Sequence, residues 1–180
     1  STRDAGSAPI IIAFQEDSIF LNELEAALAK IQSNTGIEKL DLIGMDACLM
    51  SQLEVFSALQ PYAHYAVASE ETEPSLGWAY SAFLSLLVYD PSINTADLAA
   101  NVVDTYIQQD ERIVDEQARQ EFLQQNAGAS GFFSAYRMSA EQLAGQLEKS
   151  VTLTAVDLDN LPQLITAFNR FAFDLQGVDQ

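Results

Sequence analysis

The chain has 180 residues, with 8 lysine and arginine residues against 26 aspartate and glutamate residues, which gives a formal net charge of -18. This charge argues against binding to nucleic acid or to anionic lipid, because both need clustered basic side chains. Hydrophobic residues make up 48% of the chain, as in a folded domain and unlike a disordered acidic tail. The single cysteine, Cys48, excludes a disulfide within the chain and a zinc site built from several cysteines.

The first elements are a lead-in, a strand and a helix. Residues 1–9 are mostly small and polar and are predicted as a flexible lead-in, and the β-branched run Pro9–Phe14 is predicted as a buried strand. Asn22, followed three residues later by Glu25, predicts the N-cap of a helix. Gly36 predicts the end of that helix. The apolar stripe of the helix is expected at Leu24, Leu28 and Ile31.

The central strand is predicted over residues 37–47, where apolar residues first alternate with polar ones and then fill both faces. Apolar residues at helical spacing from Leu49 to Leu59 predict a helix that follows at once and ends at Pro61. Cys48 is therefore expected where a buried strand turns into a helix.

The remainder of the chain alternates short strands with helices. The predicted elements are a strand at 65–68, an acidic loop at 70–77, a buried helix at 80–88, an amphipathic helix at 95–108, a polar helix at 111–125, a flexible break at 126–131, and strands at 133–138 and 153–158, followed by helices that begin at Ser139 and near Asp159. This alternation predicts an α/β fold with a mostly parallel sheet, in one domain.

Cys48 has two interpretations. A free cysteine is among the most often buried residues and packs as a small hydrophobe. Against this, ligands of open α/β sheets bind beyond the carboxyl ends of strands, and the N-terminus of a helix favours the reactive thiolate. Position alone leaves a reactive and a structural role equally open.

Three other features could contribute to a site. Asp46 lies two residues before Cys48 on the same face, where its carboxylate could bind a cationic group or cap a turn. His64 is the only histidine and could act as a base, but its apolar neighbours are more typical of a structural histidine. The acidic loop 70–73 could be a solvated surface, a wall for a cation or a weak calcium site, although no EF-hand spacing is present.

A combination of motifs resembles the clostripain family of cysteine peptidases. The motifs are Asp41-Leu-Ile-Gly-Met-Asp-Ala-Cys48-Leu-Met50, Glu54-Val55, Tyr65-Ala-Val-Ala-Ser-Glu70, Glu73-Pro74 and Gly77-Trp78-Ala79-Tyr80, with Ile12-Ala-Phe-Gln-Glu-Asp-Ser18 upstream. By this likeness residues 10–90 form the catalytic core of a single domain over 1–180, the C-terminal part of such a peptidase. Residues 91–180 match more loosely and form its C-terminal helices and β–α extensions.

The resemblance implies a caspase-like α/β sandwich whose mostly parallel sheet, flanked by helices, is completed by an N-terminal segment absent from this chain. It implies that Cys48 is the nucleophile, which attacks the peptide carbonyl after Arg or Lys and forms a thioester acyl-enzyme. The backbone N–H of Cys48 would supply part of the oxyanion hole. Asp46 would hold the basic substrate side chain, with Glu73 and Trp78 as further candidates for the walls of that pocket.

One family feature is missing. The catalytic histidine of the family precedes the cysteine in a His-Gly motif, which this sequence lacks, and His64 does not match its position. We favour a precursor that cuts itself after Lys or Arg and leaves the histidine on a separate N-terminal chain, the expected partner of this one. Truncation and loss of activity are the two alternatives.

Two other functions are considered. One is a non-catalytic acidic α/β interaction domain of the same family, and the other is a redox sensor with one reactive thiol. For a peptidase, the resemblance implies a peptide or protein substrate with a basic residue before the scissile bond (P1). It implies no cofactor and no metal, with calcium left open. It also implies an exported bacterial protein, secreted or periplasmic, with a cytoplasmic location left open.

Overall fold

A computed structural model describes residues 19–74, 76–125 and 139–177, without the side chain of Ser150. The predicted lead-in at 1–9, the strand Pro9–Phe14, the break at 126–131 and the strand at 133–138 lie outside the described residues. Contacts between residues divide the chain into two compact units, Ser1–Glu38 and Lys39–Gln180. The single domain expected over 1–180 remains a prediction.

The described part of the first unit holds helix α1, Leu21–Thr35. The predicted N-cap Asn22 is wrong, because the helix begins one residue earlier and the carboxylate of Glu23 accepts the backbone N–H of Phe20 at 2.8 Å. The Glu23 carboxylate in the first turn thus satisfies the backbone N–H of Phe20, the residue just before the helix. The predicted end is confirmed: Gly36 has a φ of 74°, and its N–H donates to the carbonyl of Gln32.

The second unit contains a three-stranded sheet within the described residues, in the order β1 (Leu40–Gly44), β2 (Ala63–Ser69), β3 (Leu153–Asp157). Strands β1 and β2 are parallel, with Leu40 opposite Ala63 and Gly44 opposite Val67. Strand β3 lies antiparallel on the other side of β2. The predicted α/β class is confirmed, and the sheet combines one parallel and one antiparallel pair. Strand β1 is shorter than the predicted 37–47.

The helices of the second unit surround this sheet. They are α2 (Leu53–Leu59), α3 (Tyr80–Tyr89), α4 (Thr95–Thr105), α5 (Glu111–Val114), α6 (Glu116–Gln125), α7 (Ala140–Leu147) and α8 (Leu161–Gln176). No helix of the described segments is long and apolar enough to cross a bilayer. The predicted cap of α7 is confirmed, because the Ser139 hydroxyl accepts the Gln142 N–H and the Gln142 side chain accepts the Ser139 N–H.

Two predicted helices differ in the structure. The predicted buried helix at 80–88 is wrong in its burial: Phe83 is the buried residue of α3, whereas Val88 and Tyr89 are 80% and 89% exposed. The cause is that one side of this apolar helix contacts the core within the described residues. The predicted helix at 111–125 is broken at Asp115, whose backbone is extended and whose carboxylate accepts the Ala118 N–H at the start of α6.

The core of the second unit forms around β2, in which residues Ala66–Ser69 are buried. On one side Val67 belongs to a hydrophobic cluster with Ala99 and Val102 of α4. The loop that follows β2 returns into the same cluster through Leu76 and Trp78. This return holds the loop at the carboxyl ends of β1 and β2, where ligands of α/β sheets bind.

Candidate active site

Cys48 lies in a tight turn after β1. The predicted placement at the N-terminus of a helix is wrong, because α2 begins at Leu53 and Leu49 has a left-handed φ of 63°. Backbone bonds to the end of β2 explain the difference: the Leu49 N–H donates to the Glu71 carbonyl and the Ser51 N–H to the Ser69 carbonyl. The segment therefore bonds to the end of β2 instead of forming a helix, and Cys48 lies five residues before the first residue of α2.

The thiol of Cys48 is exposed and contacts the loop after β2. Its Sγ accepts the backbone N–H of Glu73 at 3.2 Å and lies 4.0 Å from the carbonyl oxygen of the same residue. A left-handed φ at a leucine is uncommon and is often found where the chain holds a functional side chain. The turn thus presents Cys48 at the surface with a hydrogen-bond donor aimed at its sulfur.

Asp46 is held by the same loop. Its Oδ2 accepts the backbone N–H of Trp78 at 3.2 Å and the hydroxyl of Tyr80 at 2.9 Å. Burial and the bond to Asp46 raise the pKa of Tyr80. Gly77 has a φ of 68°, and a Cβ at this position would lie 3.0 Å from Asp46 Oδ2. A glycine is therefore needed at the point where the loop meets the carboxylate.

Trp78 is buried beneath this loop, with 4% of its surface exposed. Its ring covers Gly44 of β1 so closely that a Cβ there would lie 2.7 Å from Cζ3. The indole N–H donates to Glu73 Oε1 at 3.2 Å. Trp78 therefore fixes Asp46 through its backbone and Glu73 through its ring, and its role as a pocket wall remains a prediction.

Glu73 carries a carboxylate in an apolar setting. Its Oε2 is buried and has no hydrogen-bond partner in the part of the chain that the structure describes. Burial raises the pKa of Glu73 to about 7, the Trp78 indole opposes this increase, and the neighbouring Asp46 adds to it. Glu73 is thus a carboxyl group that gains its charge near neutral pH.

Tyr106 lies just after the last residue of α4, close to these acidic groups. Its hydroxyl is buried and has no hydrogen-bond partner among the described residues. Burial raises the pKa of Tyr106 most, and the negative charges of Glu73, Asp46 and Cys48 raise it further. Counting only partners among the described residues, the site therefore contains two buried polar atoms without a hydrogen bond, Glu73 Oε2 and the Tyr106 hydroxyl.

Arg112 binds the loop after β2 through hydrogen bonds. Arg112 donates from Nε and Nη2 to the carboxylate of Asp110, at 2.9 and 2.6 Å. It also donates to two carbonyls of the loop, that of Leu76 through Nη1 and that of Trp78 through Nη2 at 3.1 Å. Asp110 is 2% exposed and raises the pKa of Arg112 through its hydrogen bonds. This pair joins the start of α5 to the loop that holds Asp46.

His64 lies away from these residues. It follows Ala63, which is opposite the first residue of β1, whereas Cys48 lies beyond the last. Because the strands are parallel, roughly 10 Å of strand separates the level of His64 from the end of β1. Its Nδ1 is 2.6 Å from Asp159 Oδ2, and Lys39 and His64 lower the pKa of Asp159. The structural interpretation of His64 agrees with this position.

The acidic loop is open to solvent on its other side, where Glu70, Glu71 and Thr72 are exposed. Within the described residues, no group of three or more His, Cys, Asp or Glu side chains could hold a metal ion. Calcium binding by the acidic loop stays an untested alternative.

A sequence profile described as the clostripain family, peptidase C11, matches residues 12–177. The chain belongs to the clostripain family. Comparison with curated proteins finds no match.

Two solved structures are similar to this clostripain-family chain. One is a B. fragilis cysteine protease, 21% identical, with a TM-score of 0.50. The other is a clostripain from Bacteroides thetaiotaomicron in complex with the peptide inhibitor BTN-VLTK-AOMK, 17% identical, with a TM-score of 0.46. Each match covers 83% of this chain and 47% of the other, so the chain spans about half the length of the structures it matches. The first likeness supports the fold.

Several residues around the candidate site of this clostripain-family chain are not evident from its sequence. Tyr80 belongs to the Gly77–Tyr80 motif, but only the structure brings its hydroxyl to Asp46. Arg112 and Tyr106 carry no local signal, because they meet residues of the loop after β2 that lie about 35 positions away in the sequence. Asp110 is linked to the loop through Arg112. The structure brings together Asp46, Cys48, Glu73 and Trp78 and leaves His64 outside the group.

Proposed function

We propose that this chain is the cysteine-bearing part of an endopeptidase that cleaves after Arg or Lys. The observation that carries the proposal is that one loop, 73–80, contacts both the Cys48 thiol and the Asp46 carboxylate at the carboxyl ends of β1 and β2. A nucleophile and an anionic binding group are thereby held side by side. Membership of the clostripain family supports the same chemistry.

Cys48 would act as a covalent nucleophile. Its thiolate attacks the carbonyl carbon, and the tetrahedral oxyanion is stabilised in part by the backbone N–H of Cys48. The base takes the proton of the Cys48 thiol and passes it to the amine, which leaves as the C–N bond breaks. Water, deprotonated by the same base, then hydrolyses the thioester to release the acid and the free thiol. The N–H of Glu73 faces the sulfur at 3.2 Å and helps to orient it for attack.

Asp46 would bind the basic P1 side chain, and Glu73 would add a second carboxylate. Among the described residues the two donors to Asp46 both reach Oδ2, and the Glu73 carboxyl lies within hydrogen-bond reach of Asp46. A guanidinium or ammonium group would satisfy such acceptors through charge-assisted hydrogen bonds. The chain's net charge of -18 favours the approach of basic substrates.

The base would come from a separate N-terminal chain of a self-processed precursor. The chain has one histidine, and it is held by Asp159 at the other end of β2 from the Cys48 turn. Within the described residues β1 is also an edge strand, which offers unpaired backbone groups to a partner. The matched structures are about twice as long as the part that corresponds to this chain, which is consistent with a second segment.

The test compares peptides with arginine or its neutral isostere citrulline at P1, using the enzyme with all of its chains. Cys48→Ala should abolish cleavage, and Asp46→Asn should lower kcat/KM for the arginine peptide roughly 100-fold. Asp41→Asn, an exposed acid of β1, is the matched control and should change little. Cleavage that survives Cys48→Ala would contradict the proposal. Binding of basic peptides without cleavage would favour the interaction domain.

A further inference from the structure

The loop Leu76–Trp78 is held at both ends by one side chain. Arg112 donates to the carbonyls of Leu76 and Trp78, and the residue between them is Gly77, with its left-handed φ. A guanidinium group is planar and carries five N–H donors in a fixed arrangement. One arginine can therefore fix the positions of two carbonyl groups relative to each other, which a point charge cannot do.

Two of these three residues, Gly77 and Trp78, lie against Asp46. The Trp78 N–H is 3.2 Å from Asp46 Oδ2, and Gly77 lies so close to that oxygen that a Cβ would be 3.0 Å away. A continuous set of contacts thus runs from Arg112 through the loop backbone to the Asp46 carboxylate. Displacing the loop would remove a hydrogen-bond donor from Asp46 and change the orientation of its carboxylate.

Arg112 is itself fixed by Asp110. The carboxylate is 2% exposed and accepts the Arg112 backbone N–H at 2.8 Å in addition to two side-chain bonds. A buried carboxylate needs such a partner, so Asp110 and Arg112 stabilise each other. Asp110 caps the start of α5 and holds the Arg112 side chain in the orientation that reaches the loop.

Next to the pair, the protein leaves space into which the loop could move. A cavity of about 240 Å³ is lined by residues 78–81 and 110–112. The side chain of Arg112 is 41% exposed. Leu76 and Trp78 anchor the loop in the hydrophobic cluster, and on the side of the cavity, which packing does not fill, the Arg112 bonds complete its support.

We propose that Arg112, oriented by Asp110, is a positioning residue that holds the loop Leu76–Trp78 against Asp46 and thereby sets the preference for a basic P1 side chain. The inference rests on the proposed function, because Asp46 must bind that side chain. Arg112 acts through the loop backbone and does not itself contact the substrate.

The experiment compares the assembled wild-type enzyme with Arg112→Lys, Arg112→Gln and the control Arg119→Gln. Arg119 also donates to backbone carbonyls, those of Ile113 and Asp115, but these lie outside the loop. The readout is the ratio of kcat/KM for peptides with arginine and citrulline at P1. We expect Arg112→Lys to lower this ratio about tenfold, mainly through KM for the arginine peptide, and Arg112→Gln to lower it further.

A spectroscopic readout reports the loop directly. Trp78 is the only tryptophan of this chain, so differences in emission and in acrylamide quenching between the wild type and a variant of this chain report on this loop. We expect a red shift and stronger quenching in Arg112→Lys but not in Arg119→Gln. Loss of folded protein alone would lower both kcat/KM values together and leave their ratio unchanged. Should Arg112→Gln fail to fold, Arg112→Lys decides the test, because it keeps a cation beside Asp110.

The outcomes separate this inference from the proposed function. If the wild-type enzyme prefers arginine and both Arg112 variants keep its ratio within twofold, the inference is wrong and the proposed function stands. The inference is also wrong if Arg119→Gln lowers the ratio as much as Arg112→Lys. If the wild-type enzyme does not distinguish arginine from citrulline, the proposed function fails and the inference fails with it.

Discussion

The sulfur of Cys48 accepts the backbone N–H of Glu73 at 3.2 Å. This bond joins the turn after β1 to the loop after β2 at the thiol itself. Because the donor is a backbone group, the side chain of Glu73 can be changed without removing the bond. The contribution of the Glu73 carboxylate can therefore be measured separately from the geometry of Cys48.

The first prediction concerns the pH dependence of cleavage. Burial raises the pKa of Glu73 to about 7, so the carboxyl is neutral well below this pH and charged above it. The kcat/KM for peptides with a basic P1 should therefore increase as the pH increases through about 7. Glu73→Gln should lose this contribution, seen as the difference between the wild-type and variant pH profiles. The exposed Glu70→Gln should keep it, and identical profiles for wild type and Glu73→Gln would exclude the role of Glu73.

The second prediction concerns pH and folding stability. The pKa of Glu73 increases from 4.5 in the unfolded chain to about 7 in the folded one, so the folded state holds the proton more tightly. Its contribution to stability is present below pH 4.5 and is lost as the pH rises to about 7. Glu73→Gln should thus be more stable relative to wild type at pH 8 than at pH 5. Urea unfolding at both values measures this, and equal differences at the two pH values would count against the shifted pKa.

The structure also shows which features of the chain are local enough to be predicted. Gly36 and the Ser139–Gln142 cap are confirmed, because their signals lie within one turn of a helix. The helix expected from Leu49 is wrong, because the backbone of Leu49 and Ser51 bonds to the end of β2, which helical spacing cannot indicate.

The same distinction between local and long-range signals applies to the candidate site. Three residues of the resemblance motifs, Asp46, Cys48 and Glu73, lie close together, and their roles stay predictions. Arg112 and Tyr106 could not be predicted, because folding alone brings α5 and the end of α4 to the loop after β2. The strand order also depends on pairing at a distance, and β3 pairs antiparallel with β2.

The third prediction concerns Gly77. A left-handed φ costs an alanine about 1–2 kcal/mol, and the new Cβ would also lie 3.0 Å from Asp46 Oδ2. Gly77→Ala should therefore destabilise the protein by more than this and reduce cleavage after basic residues. Gly36→Ala is the matched control, because Gly36 has a φ of 74° and nothing within 4 Å of its Cβ position. Equal losses in urea unfolding would show that the contact with Asp46 has no energetic effect.

The fourth prediction concerns the hydroxyl of Tyr106. The Tyr106 hydroxyl is buried without a hydrogen-bond partner in the described residues. Folding therefore removes its hydrogen bonds to water without replacing them, which destabilises the folded state. Tyr106→Phe should therefore stabilise the free protein, by up to about 1 kcal/mol in urea unfolding. Tyr89→Phe, at a residue that is 89% exposed, should leave stability unchanged. A clear loss of stability in Tyr106→Phe would mean that the hydroxyl forms a favourable bond.

The central claim is that Cys48 is a nucleophile completed by a second chain. Intact mass spectrometry of the native preparation, with and without an arginine chloromethylketone, tests it most directly. We predict a co-purifying second chain that contains a histidine, and one inhibitor adduct on Cys48 that is absent from Cys48→Ala. A single chain with unmodified Cys48 would contradict the claim and leave the acidic interaction domain as the better account.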